Sequence, residues 1–142
     1  MYDEAAKELE NTISLTRSRK QKARYNFILA QICEMKKDNK AAVKYYNRCI
    51  SLKPAYEMSF NARIKKARLY DLKDSRIKGI KMELLKMAKD PKNEEYLDVI
   101  YYTLGEMEEK EKNIKQAITY YKISARSSVN NNNQKALSYL KL

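Results

Sequence analysis

Apolar residues in this 142-residue chain recur three and four positions apart, the spacing of one face of a helix. The clearest window, Ala23 to Tyr56, reads as two helices, Ala23–Lys36 and Lys40–Leu52, with polar Lys37-Asp38-Asn39 between them and Pro54 closing the unit. Small Ala30 and Ala42 fall where two such helices would approach most closely. Leu29, Tyr46 and Ile50 fill the space around them. The same hairpin is written again from about Asp98 to Asn131. Leu29-Ala30 returns as Leu104-Gly105, Ala42 as Ala117 and Tyr45-Tyr46 as Tyr120-Tyr121, all displaced by 75 residues. Glycine inside a helix costs about 1 kcal/mol relative to alanine, so Gly105 predicts a close approach of two helices.

A degenerate copy lies between the two, from about Glu57 to Pro91. Ala67 and Tyr70 suit its first helix, and Ile77, Ile80, Leu84 and Met87 form the stripe of its second, with Gly79 where alanine is expected. Pro91 is expected to close it as Pro54 closes its predecessor. Two units of about 34 residues leave seven of the 75 over, and Lys73-Asp74-Ser75 and Lys92-Asn93-Glu94 are the expected places for them. Residues 1–19 resemble a second helix without its first, with Leu9, Ile13 and Leu15 on its stripe. Residues 134–142 read as the opening of another first helix, whose Leu137, Leu140 and Leu142 would lack a partner. The expectation is a piece of a longer array.

A large residue, Leu, then Ala or Gly, followed thirteen residues after the Leu by Ala and four later by Tyr, is similar to the tetratricopeptide repeat (TPR). That unit is a helix-turn-helix of about 34 residues that buries its apolar face only by stacking on neighbours. The resemblance implies an all-α fold: a right-handed superhelix, an α-α solenoid, of antiparallel helix pairs. Its units are placed at residues 23–56, 57–91 and 98–131, with partial ones at 1–19 and 134–142. It also implies a protein-binding role, with positions 2, 5, 9 and 12 of each first (A) helix facing a concave groove. On this register those are Arg24, Phe27, Gln31 and Glu34 in one copy, Val99, Tyr102, Glu106 and Glu109 in the other, and Asn61, Ile64 and Arg68 in the degenerate one. The mixture suits an extended peptide or a partner helix. Tetratricopeptide domains that clamp a chaperone C-terminus use Lys and Asn where this chain has Phe27 and Gln31, which argues against that class.

Composition narrows the function further. Two Gly, two Pro and 34% charged residues disfavour a sheet-rich fold with many tight turns. With no His and no phosphate-cradling Gly-rich loop, the inventory argues against an enzyme, a metal site or a cofactor. Glu94-Glu95, Glu106, Glu108 and Glu109 read as exposed helix carboxylates. Cys33 and Cys49 fall at positions for small core residues, with an intra-repeat disulfide as the alternative. The net charge of +12 gathers in Arg17–Arg24 and in a broader run from Arg63 to Lys81. Such a face suits an acidic protein, anionic lipid or, less well for want of a motif, nucleic acid. No apolar run reaches the roughly 20 residues of a membrane span.

Three further segments are Pro54-Ala55-Tyr56-Glu57-Met58-Ser59-Phe60-Asn61-Ala62-Arg63-Ile64, Asn93-Glu94-Glu95-Tyr96-Leu97-Asp98 and Asn131-Asn132-Asn133-Gln134-Lys135-Ala136-Leu137-Ser138-Tyr139-Leu140. Together they resemble the repeat region of the PorW/SprE family, large lipoproteins of the Bacteroidota implicated in type IX secretion and gliding motility. The resemblance implies a non-catalytic scaffold in a longer, lipid-anchored protein at the periplasmic face of the outer membrane. Its alternatives are a cytoplasmic tetratricopeptide adaptor of another pathway and an RNA-associated helical repeat.

Overall fold

The structure, a computed structural model, describes residues 2–128 and 138–141. Every regular element among these residues is helical, as the periodicity predicts. They form two compact units, residues 1–70 and 71–142. The boundary falls inside the degenerate repeat.

The first unit is α1 (Tyr2–Leu15), α2 (Arg19–Met35), α3 (Asn39–Ser51) and α4 (Tyr56–Leu69), each packed on the next. Helix α2 starts four residues ahead of the expected Ala23. Ser18 accepts a hydrogen bond from the Gln21 N–H at 3.3 Å, so the cap lies upstream of the first apolar position. Ala23, Leu29, Ala30 and Cys33 of α2 meet Ala42, Tyr45, Tyr46 and Cys49 of α3 in one buried cluster. Ala30 and Ala42 are both fully buried, which is why neither position tolerates bulk. Helix α1 has no fully buried residue. It lies on the cluster through Ala6, Leu9 and Ile13, while Leu15, expected on that stripe, is exposed past the end of the contact. Polar contacts hold its ends: Lys36 pairs with Asp3, and the Tyr45 hydroxyl donates to Glu10 at 2.5 Å.

The second unit is α5 (Ile77–Lys89), a 3-10 helix (Pro91–Tyr96), α6 (Leu97–Lys110) and α7 (Ile114–Ser127). The loops expected to absorb the extra residues do so at 70–76 and in the 3-10 helix. Pro91 follows the end of α5 at Lys89 and also opens the 3-10 helix, which Asp90 caps through the Lys92 N–H at 3.0 Å. Asn93, nearly fully buried, donates to the Met87 carbonyl at 2.9 Å and ties the 3-10 helix to the end of α5. Ile77, Ile80 and Leu84 are buried, and Met87 is half-buried.

The two clear copies agree down to the turn. Lys37 and Lys112 stand at φ 61° and 64°. The Lys37 N–H donates to Glu34 O and the Asp38 N–H to Cys33 O. Lys112 and Asn113 make the same bonds to Glu109 and Glu108, all within 2.9–3.0 Å. This is the Schellman closure of a helix, with lysine in the left-handed position that glycine usually holds. Gly105 is buried as predicted: a Cβ built on it would stand 2.5 Å from Cε1 of Tyr121. Gly79 differs, with no atom within 4 Å of such a Cβ. Of the expected further helix, residues 138–141 are helical with Ser138 buried and Leu140 exposed. Residues 129–131 of the last repeat, together with residues 134–137, Leu137 among them, and Leu142, lie outside the described residues.

Candidate functional site

Each clear copy builds the same three-residue cluster between its A and B helices. The A helix supplies an aromatic ring and, seven residues on, a carboxylate; the B helix supplies a tyrosine. Phe27 meets Tyr46 with ring centroids 5.5 Å apart at 72°, and Tyr102 meets Tyr121 at 5.4 Å and 53°. The Tyr46 hydroxyl donates to Glu34, and the Tyr121 hydroxyl to Glu109 at 2.6 Å. Burial, reinforced by these carboxylates, holds both phenols protonated well above the ordinary range for tyrosine. In return the Tyr121 hydrogen bond, with Lys141 at 3.4 Å, draws Glu109 below the usual carboxylate range.

Glu34 and Glu109 therefore brace the tyrosine on which the two helices cross. The 75-residue offset that matches Tyr46 to Tyr121 also matches Glu34 to Glu109 and Phe27 to Tyr102, so the pairing was written in the sequence. A tyrosine twelve residues after a glutamate in a helix hairpin is the signal that would have found it.

Seven of the eleven residues expected to line a groove lie on α2 and α4 of the first unit, and four on α6 of the second. Arg24 and Asn61 are exposed; Phe27, Gln31, Arg68 and Glu106 are half-buried, as is Val99. Ile64 and Tyr102 depart from the expectation. They are only 5% and 6% exposed, so both belong to the packed interior and neither offers an open surface. Tyr102 packs with Tyr121 and Ala117 in one buried cluster. Arg24 and Asn61 are the exposed polar groups of α2 and α4 among them, Gln31 is half-buried, and Glu109, exposed on α6, is engaged with Tyr121.

Several charged groups read as surface are instead structural. Lys81, expected on a solvated basic face, bridges Glu108 at 2.9 Å and Glu111. Burial works against its charge, but the hydrogen bonds to the two glutamates outweigh that and raise its pKa. Glu108 also accepts from the Asn113 side chain at 2.8 Å and is buried, contrary to its reading as an exposed carboxylate. Lys81, its partner on α5, stands 27 residues earlier in sequence, so no local pattern announces the pair. Asp98 occupies the place of Ala23 in the other copy and is 3% exposed; its carboxylate accepts from the Val99 N–H at 2.8 Å, and burial raises its pKa. Ser124 donates to the Asp98 carbonyl at 2.7 Å, and its hydroxyl lies 2.7 Å from that of Ser138.

Cys33 and Cys49 are buried free thiols in facing helices. Burial raises both, Cys49 to about 11, so neither is a ready nucleophile. Among the described residues no group of three or more His, Cys, Asp or Glu side chains is placed to hold a metal ion, and no helix is long and apolar enough to cross a membrane.

No curated protein matches the chain. Residues 23–56, the segment that folds as α2 and α3 with the turn between them, match the family model described as Tetratricopeptide repeat.

Proposed function

We propose that this chain is a non-catalytic scaffold whose A helices hold an extended peptide or a helix of a partner protein. Tetratricopeptide repeats generally mediate protein–protein interaction, and the match at residues 23–56 is the observation that carries the reading. Arg24, Gln31 and Asn61 are the residues best suited to the contact. They present a cation and two amides from helices α2 and α4 of one unit, and amides serve both donors and acceptors of a peptide backbone. Phe27, held against Tyr46, supplies an apolar edge beside them. The likeness of three segments to the PorW/SprE family supports a finer reading, in which the chain belongs to a lipid-anchored protein at the periplasmic face of the outer membrane. There it would hold components of a type IX secretion and gliding apparatus.

A photoreactive amino acid placed at 24, 31 or 61 should crosslink to one protein partner in cells of the source organism, whereas the same probe at Lys44 or Lys122 on the B helices should not. Adducts from the B-helix positions alone would overturn the A-helix assignment. Recovery of the intact parent protein in the cytosolic fraction would overturn the envelope reading.

A further inference from the structure

The second (B) helices α3, α5 and α7 share a property that protein binding by the A helices does not use. Each buries one stripe and carries a row of cations on the opposite side. In α3 the buried stripe is Ala42, Tyr46 and Cys49; in α7 it is Ala117, Tyr121 and Ser124, the same positions 75 residues on. At about 100° per residue, Lys40, Lys44 and Arg48 fall within an arc of about 80° on the outward side of α3. Lys115, Lys122 and Arg126 fall within about 40° on the outward side of α7. Helix α5 repeats the arrangement: Ile77, Ile80 and Leu84 are buried, and Lys78, Lys86 and Lys89 lie opposite them. All nine cations are exposed. Among the described residues none of them is in an ion pair; Lys44 and Arg48 instead lie over the Tyr45 ring at 6.0 and 5.3 Å.

An ordinary solvated helix face mixes both signs, because like charges three or four residues apart repel. Helices α1 and α6 do mix them. Helices α3 and α7 contain no carboxylate at all, and α5 has one, Glu83. With a net charge of +12 the chain also repels its own copies, so a second molecule is a poor occupant for these rows.

We infer that the outward faces of the B helices, α3 in the first unit and α5 and α7 in the second, each unit by itself, dock on an anionic phospholipid surface. Three features favour lipid over nucleic acid. No aromatic ring is exposed beside the cations, so bases would find nothing to stack on: Tyr45 is buried and Tyr120 half-buried. In α5 the residue in the middle of the row is Met82, 64% exposed, an apolar side chain suited to the head-group boundary and useless to a phosphodiester backbone. The small or polar neighbours Asn47, Ser51, Gln116 and Thr119 leave the lysine stems free to reach a flat surface.

The test is cosedimentation of the full chain with vesicles of 30% phosphatidylglycerol in phosphatidylcholine, and with pure phosphatidylcholine, at low salt. Retention on the anionic vesicles alone is expected. Each cation near such a surface contributes about a fivefold change in partitioning, so Lys40→Gln, Lys44→Gln and Arg48→Gln together should weaken it by roughly a hundredfold. The corresponding triple in α7 should do the same, and Met82→Ser alone severalfold. Removing the same charge elsewhere, by Lys20→Gln, Lys73→Gln and Lys92→Gln, should change it far less. All these side chains are exposed, and an unchanged far-ultraviolet spectrum confirms that each variant is folded. No retention on anionic vesicles, or an equal loss in the control triple, would overturn the inference. So would tighter binding to a short RNA or DNA duplex at the same salt and phosphate concentration, insensitive to Met82→Ser, which would assign the rows to nucleic acid.

Discussion

The two glycines of this chain should respond in opposite directions to the same substitution. Both lie in helices of the second unit, Gly79 in α5 and Gly105 in α6. Alanine favours a helix by about 1 kcal/mol over glycine, so Gly79→Ala, with nothing within 4 Å of the new methyl, should stabilise the unit by about that amount. Gly105→Ala gains the same propensity but places Cβ 2.5, 2.7 and 3.0 Å from Cε1, Cδ1 and Cζ of Tyr121. That ring cannot swing aside cheaply. It is 2% exposed, packed at a tilt against Tyr102 and anchored to Glu109 through its hydroxyl. Overpacking of this kind costs about 1–3 kcal/mol, leaving a net loss of about 0–2 kcal/mol and a gap of about 1–3 kcal/mol between the two variants. Urea unfolding followed by circular dichroism measures both, provided the slope with denaturant is unchanged. Tyr121→Leu in the Gly105→Ala background should then cost less than the two single changes summed, because the clashing ring is gone. If Gly105→Ala stabilised the protein as much as Gly79→Ala, the helix crossing described here would be wrong.

Three other outcomes follow from the same packing. Ala42→Leu, at a fully buried crossing, should cost about 1–3 kcal/mol in a thermal or urea melt, and an unchanged melt would refute the register. Lys37→Gly or Lys112→Gly should stabilise by about 0.5–1 kcal/mol by relieving the left-handed backbone, and destabilisation in both would show that the turn closes differently. Tyr46 and Tyr121 stay protonated in the fold above pH 10, where the unfolded chain ionises them, so their contribution is complete below pH 10 and is lost as pH rises beyond it. Each should add a slope of about 1.4 kcal/mol per pH unit to alkaline unfolding, and Tyr121→Phe should remove its share without altering the slope between about pH 6 and pH 9, below which the loss of its bond to Glu109 also counts.

The repeat was legible because its rules are local. A small residue at a helix crossing, a tyrosine seventeen residues after the A-helix leucine and a polar turn between them depend only on spacing within 34 residues, so Ala30, Ala42, Gly105 and Ala117 could be placed from the sequence. Helix starts were less legible. Ser18 caps α2 ahead of its apolar stripe, and capping depends on one hydrogen bond that periodicity does not register. Among the groove residues, Arg24 and Asn61 are exposed. Ile64 and Tyr102 are buried, because a position that faces outward from one helix pair is covered when a neighbouring side chain or element closes over it.

What the sequence determined by itself was the helical hairpin and its repetition, since both rest on periodicity and on a constant offset between copies. It also carried, unread, the bond between Glu34 and Tyr46 and its twin between Glu109 and Tyr121. Only the tertiary structure decided which charges are surface and which are structural. Lys81 and Lys78 are three residues apart and indistinguishable as letters, yet Lys81 bridges Glu108 and Glu111 while Lys78 stands exposed. The reason is physical: whether a lysine is solvated or paired depends on what packs beside its helix, and the pairing partner lies on an element remote in sequence.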